Sequence, residues 1–241
     1  MAIYDDPDFF ADYAKMPRSQ HGLAGAGEWP DFKRLLPDLT DKSVLDLGCG
    51  YGWQCRYAAT HGAMLVTGID NSTKMLEQAR KDTDPKLPIT YQLGDLATYF
   101  EAPQTYDVVI SSLALHYIQD LNAVMHHISA MLTSQGTLVF SIEHPIFTAE
   151  GSQTWRQDEQ TQQTYWPMDH YFNESARQTN FLGHTVTKYH HTFSTIVEAI
   201  LNNGMTLNNV IEPQGEPTPA GQPLPEWQRI PQMLLIKAIK A

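Results

Sequence analysis

The sequence predicts an α/β fold, a Rossmann-like, doubly wound parallel sheet with helices on both faces. Three observations predict it. Short apolar, β-rich runs alternate with helical patterns from residue 44 to residue 142, as βαβ crossovers require. A glycine turn, "VLDLGCGYGW" at 44–53, joins the first run to the first helix. Acidic residues, Asp46, Asp70 and Asp95, fall at or beside the ends of three successive runs.

The strands are expected at 44–47 (VLDL), 64–69 (MLVTGI), 89–93 (ITYQL), 107–112 (DVVISS) and 137–142 (TLVFSI). Each is short, apolar and rich in residues that suit a sheet covered on both sides. Helical spacing marks 52–61, 72–81 and 120–132, with Asn71 or Ser72 and Asp120 as N-caps. A helix at 194–203 ends at Gly204, and strands at 205–211 and 232–239 follow, separated by the Pro-rich stretch 213–231. Residues 145–192 lack a strong period and read as an insertion on the acceptor side, over the carboxyl edge of the sheet. Residues 1–40 read as an amino-terminal lid. One domain, 1–241, with two covers over the edge where such sheets bind ligands, is the expected organisation.

Bulk properties exclude several functions. Lys and Arg number 16 against 27 Asp and Glu, a formal net charge of −11, with no basic cluster, so nucleic acid is not an expected partner. No apolar run approaches a membrane span, and "MAIYDDPDFF" has neither a basic nor an apolar leader region. The two cysteines, Cys49 and Cys55, form neither a disulfide framework nor a CxxC pair and fit reduced thiols in a cytoplasm. No H-E-x-x-H or grouped Cys/His spacing occurs, so no catalytic metal is expected. Oligomeric state is not legible.

A Gly-x-Gly-x-Gly turn between strand and helix lets backbone approach a ligand closely and presents helix N–H groups to it. Alone it also suits a nucleotide-dependent oxidoreductase. The acids discriminate. Asp46 before the turn would repel a pyrophosphate and attract a cationic group. Asp70, about 20 residues past the glycines, is placed for a ribose diol, and Asp95 in "LGDL" for an exocyclic amine. Position 53 is Trp, so the dinucleotide spacing G-x-G-x-x-G is missing. Adenine, a diol and a positive charge in place of phosphates describe S-adenosylmethionine. The set "VLDLGCGYG", "GIDNS", "GDL" and "YDVVISSLALHY" resembles the class I S-adenosylmethionine-dependent methyltransferases, from about Val44 to Ile142.

The resemblance implies a seven-stranded sheet, mostly parallel, whose last strand runs antiparallel. It implies that Gly48 and Gly50 cradle the methionine part and that Asp70 takes the ribose hydroxyls. Asn71 and Met75 would lie near the adenosine, Asp95 and Leu96 would hold adenine, and Ser111 to Leu113 would follow the fourth strand beneath the cofactor. A cofactor-binding regulatory subunit without chemistry is a further alternative, though its mark would be broken motifs. "YAKMPRSQHGLAGAGEWP" and "SIEHPIFT" are similar to stretches in a bacterial small-molecule subgroup. Tyr4, Tyr13, Met16 and Arg18 are candidates to close on the cofactor, Arg18 by pairing its carboxylate.

The acceptor is expected to be a small molecule, aromatic or lipophilic, methylated at oxygen, nitrogen or carbon. His116 and His144 follow the fourth and fifth strands and are the candidate bases, with Glu143 placed to orient His144 or bind a cationic acceptor. Either histidine could equally be structural. Trp155, Tyr165, Trp166, Tyr171, Phe172 and Phe181 could line an acceptor pocket or build the insertion's own core.

Overall fold

The computed structural model describes residues 2–98, 105–215 and 222–241; the Pro-rich stretch 213–231 therefore lies partly outside the described residues. The strands are β1 (Ser43–Leu47), β2 (Leu65–Asp70), β3 (Ile89–Leu93), β4 (Tyr106–Ser112), β5 (Leu132–Glu143), β6 (Arg156–Gln157), β7 (Thr164–Tyr165), β8 (Ala176–Phe181), β9 (His184–Tyr189), β10 (Met205–Ile211) and β11 (Met233–Lys240). The helices are α1 (Pro7–Tyr13), α2 (Pro17–His21), α3 (Trp29–Leu35), α4 (Trp53–Thr60), α5 (Thr73–Asp82), α6 (Leu121–Met131), α7 (Pro145–Thr148), α8 (Phe193–Leu201) and α9 (Glu226–Arg229).

Seven strands form the main sheet in the order β10-β11-β5-β4-β1-β2-β3. β1 to β5 pair in parallel, and β11 runs antiparallel between β5 and β10. From β1 the chain winds outward to β3, then returns to β4 and winds the other way. The crevice between β1 and β4 is the switch point where this class of sheet receives ligands.

Alternation along each strand sorts the apolar side chains into two layers. Val44, Val108, Ile110, Val139 and Leu235 face Phe32 and Leu35 of α3, Cys55 and Ala58 of α4 and Leu76 of α5. Leu45, Leu47, Val109, Leu138, Phe140 and Ile236 face Leu121, Met125 and Ile128 of α6 and Ile196 and Ile200 of α8. The helix starts follow side-chain capping: Ser72 accepts from the Met75 N–H, Asp120 from Ala123 and Thr192 from Thr195, each typically worth about 1 kcal/mol.

Both covers differ from a uniform reading of the sequence. Within 1–40, residues up to Glu28 border the sheet's carboxyl edge, whereas α3 buries Phe32 and Leu35 in the core. The amino-terminal part forms a strap. Asp5 accepts from the Ser72 hydroxyl at 2.7 Å and the Lys74 N–H at 3.2 Å, and Tyr4 shares a hydrogen bond with Tyr117 at 3.0 Å. The stretch 145–192 has more order than its composition suggests. β8 and β9 pair as a hairpin across a Leu182–Gly183 turn in which both residues have positive φ, the two-residue geometry that matches strand twist.

Candidate active site

The turn after β1 is built from backbone that few residues tolerate. Gly48 has φ +75° and Gly50 φ +51°. A Cβ at Gly48 would meet the Ala114 Cβ at 2.4 Å, whereas one at Gly50 would meet nothing within 4 Å and would project into open space. Gly50 therefore leaves room that a side chain would fill. Its N–H donates to the Asp70 Oδ2 at 2.8 Å, and the Ser72 N–H donates to the Asp70 Oδ1 at 2.9 Å. Burial raises the Asp70 carboxyl above its ordinary value despite these N–H donors.

A cavity of about 580 Å³ opens over the carboxyl ends of β1, β2, β4 and β5, within the usual range for small-molecule sites. At one end it is lined by Gly48, Gly50, Asp70, Asn71, Met75, Asp95 and Leu96. Asp95 is exposed and its carboxylate also accepts from the Ala97 N–H at 2.9 Å. Tyr13, Met16 and Arg18 of the strap roof the cavity. The Arg18 guanidinium forms an ion pair with Glu28, which is itself buried and lines the same space. Leu113 lines the floor with φ +52°, held by bonds from its N–H to the Ser141 carbonyl and hydroxyl. A non-glycine residue there costs about 1–3 kcal/mol, a strain tolerated where it fixes a functional surface.

The other end contains His116, Tyr117, Glu143, Phe181 and Lys188. Lys188 donates to the Glu143 Oε1 at 2.5 Å and the Gln153 Oε1 at 3.2 Å, while the Gln153 amide donates to the Glu143 Oε2 at 2.6 Å. Burial works to raise the Glu143 carboxyl, but His116, the Lys188 ammonium and these bonds outweigh it and hold it below its ordinary value. Burial pushes the His116 imidazole down to about 4, so the ring is neutral at physiological pH. Its Nδ1 has no hydrogen-bond partner among the described residues.

Three sequence candidates lie outside the cavity. Asp46 is 1% exposed behind the turn, where its Oδ2 accepts from the Cys55 thiol at 3.2 Å. Burial raises its carboxyl to about 7, which suppresses the charge expected to attract a cation. Ser111 is fully buried, bonded to the Leu47 carbonyl at 2.9 Å; its neighbour Ser112 reaches the cavity instead. His144 turns away from the site: Nε2 pairs with Glu212 at 2.9 Å and Nδ1 accepts from the Ile146 N–H at 3.1 Å, capping α7. Glu143 therefore faces His116 and Lys188 rather than orienting His144.

The insertion's aromatics divide: Phe172 and Tyr165 are exposed, whereas Trp155 and Trp166 pack together. Trp166 stacks on Phe147 and meets Trp155 edge-on, and the Arg229 guanidinium lies over Trp155. Of the six, Phe181 lines the cavity. Sequence reading passed over Lys188, Gln153 and Glu28. The first had a signal, because Val186 and Lys188 alternate with exposed Thr185 and Thr187 and share the buried face of the hairpin.

The sheet order, with a cavity at its switch point, defines a Rossmann-like α/β fold with a ligand-sized site. Residues 44–136 match the methyltransferase domain family. A protein from Listeria monocytogenes assigned as an S-adenosylmethionine-dependent methyltransferase is 46% identical, with a TM-score of 0.80 over 90% of this chain and 99% of that one. An S-adenosylmethionine-dependent methyltransferase from Mesorhizobium loti is 38% identical, with a TM-score of 0.82 over 91% of this chain and all of that one. An uncharacterised Haemophilus influenzae protein is 35% identical over 219 residues, 88% of this chain and 86% of its own length. The chain belongs to the S-adenosylmethionine-dependent methyltransferases.

Proposed function

We propose that this enzyme transfers the methyl group of S-adenosylmethionine to a small-molecule acceptor bound at the His116 end of the cavity. One observation carries the reading: one continuous cleft is lined by both the Asp70 and glycine-turn surface and the His116–Glu143–Lys188 cluster, under a shared strap. Asp70 accepts from the ribose diol, Met75 and Leu96 flank adenine, and Asn71 and Asp95 supply polar contacts at its rim. The open space at Gly50 admits the methionine part past the backbone. Arg18 and Glu28, already paired, offer a cation for its carboxylate and an anion for its ammonium.

The cofactor supplies an activated methyl group. The protein's contribution is to hold the acceptor in line and to keep water out, which the strap and the hairpin, packed together through Phe9, Phe181 and His184, do jointly. A small acceptor fits beside the cofactor in the cavity of about 580 Å³. Among the described residues no helix is long and apolar enough to cross a membrane, and the buried thiols of Cys49 and Cys55 suit a reducing cytoplasm. Calorimetry with S-adenosylhomocysteine, run beside NAD and NADP, tests the reading. Micromolar binding of the thioether alone is expected; dinucleotide binding, or none, would reject it.

A further inference from the structure

We propose that the acceptor is an uncharged molecule with an acidic hydroxyl on a planar carbon frame, a phenol or an enol, and that His116 receives the proton of that hydroxyl while Lys188 holds its oxygen. The proposal rests on the methyltransferase reading above and specifies the half of the cavity that the cofactor motifs do not explain.

Three features point to this acceptor. The first is the orphaned imidazole. His116 is 4% exposed, lines the cavity, and leaves Nδ1 without a partner. A buried polar nitrogen without a hydrogen bond is costly, and among the described residues no such bond fixes which nitrogen carries the proton. Nδ1 is itself closed to solvent, so the nitrogen a ligand can reach is Nε2, which also makes no bond among the described residues. The second is Lys188, buried at 2% exposure. Its ammonium spends two protons on Glu143 and Gln153 and retains one for an oxygen in the cavity. A hydroxyl satisfies both groups at once, accepting from Lys188 and donating to His116. The third is charge. Glu143 and Lys188 cancel, and His116 is neutral. An ammonium acceptor would meet a carboxylate whose two oxygens are already engaged, beside a lysine; a carboxylate acceptor would set a second anion against Glu143 in a buried site. Phe181, Ile118 and Met233 supply apolar wall for a flat ring.

The step balances. A lone pair on the acceptor oxygen forms the O–CH₃ bond, the C–S pair stays on sulfur as a neutral thioether, and the O–H pair stays on oxygen. The proton moves to His116, so the positive charge passes from sulfonium to imidazolium and leaves to solvent with product. A weakly basic imidazole suffices, because the proton it removes belongs to an oxygen that is becoming a protonated ether. Around the ring stand Glu143 from β5, Lys188 from β9, Tyr117 beside it and Tyr4 from the strap. Burial pushes both tyrosine hydroxyls well above their ordinary value, leaving Glu143 and Lys188 as the charges that tune His116.

The test uses the full chain and a labelled methyl donor with 2-naphthol, catechol and 4-methylphenol, against 2-naphthoate and 2-naphthylmethylamine. Methylation of the hydroxyl compounds alone is expected. His116→Ala should lower that transfer at least 100-fold while S-adenosylhomocysteine affinity stays within threefold. In the thioether-saturated protein, 2-naphthol should bind and shift the ring ¹⁵N signals of His116. Lys188→Met leaves Glu143 unopposed beside the ring, so the acid limb of the rate profile should move up by at least one pH unit. Transfer to the carboxylate or the amine, transfer to no probe, unshifted ¹⁵N signals or an unmoved limb overturns the proposal. A protein that fails to bind the thioether at all would instead reject the methyltransferase reading beneath it.

Discussion

The two ends of the cavity are built in different ways. The cofactor end comes from loops that directly follow β1, β2 and β3, each within a few residues of its strand, and its contacts are largely backbone: Gly50 to Asp70, Ser72 to Asp70, Ala97 to Asp95. The acceptor end is assembled from distant chain. Glu143 ends β5, Lys188 and Phe181 come from the hairpin, and Gln153 lies between them in the insertion. A surface made by strand ends and main chain is bound to the fold and can persist while substrates change. A surface made by side chains of an insertion can change without disturbing the sheet. In the proposed reading the common reagent is held by the first and the particular acceptor by the second.

The largest effect that would sharpen this contrast is at Gly50. Gly50→Val puts a branched side chain into the space left open there and forces φ +51° on a β-branched residue. Loss of S-adenosylhomocysteine affinity by 100-fold or more is expected in calorimetry, and wild-type-like binding would break the assignment of the two ends. Asp70→Ala comes next, with affinity weakened by about 1–3 kcal/mol. Unchanged affinity would remove Asp70 from the ribose.

His144→Ala should leave turnover per folded molecule unaltered and lower stability by about 0.5–2 kcal/mol through the lost α7 cap, measured by urea unfolding. A fall in turnover at full folding would bring His144 back into the site. A further effect concerns Asp46. Burial raises its carboxyl to about 7, so the folded chain keeps a proton that the unfolded chain releases above about pH 4. That stabilisation is complete below the unfolded value and is lost as pH rises through 7. Asp46→Asn carries no such proton, so its melting temperature relative to wild type should rise between pH 5 and pH 8. A constant difference would show that Asp46 is ionised in the folded chain throughout.

Legibility followed the same division. The strand runs from 44 to 142 and their helices fall within one to two residues of their observed bounds, β5 excepted, because alternation and capping are local signals. β5 begins at Leu132 rather than near 137, since Leu132 pairs with Tyr106 through an irregular register. The sequence also shows which strand ends carry polar groups, but not where each side chain points. Ser111 and Ser112 differ by one residue and face opposite sides, and His144 differs from Glu143 in the same way. The Lys188–Glu143 pair spans 45 residues, a separation at which no periodicity links the partners. The insertion obscured it further, because its aromatic density suggested a pocket where packing among Phe147, Trp155 and Trp166 was the stronger demand.

The strap has one more consequence. It is fastened by ring edges, with Tyr4 against Phe9, Tyr13 and Tyr117, and by the Asp5 bonds to the start of α5. The Asp12–His184 pair at 3.2 Å joins it to the hairpin. None of these contacts is part of the ladder that holds the seven strands together. Such a segment opens at a fraction of the global unfolding free energy. In the proposed reading, admission of ligands and endurance of the protein would be governed by separate stretches of chain, so tightening the roof is expected to slow the traffic of cofactor and product without making the molecule any harder to melt.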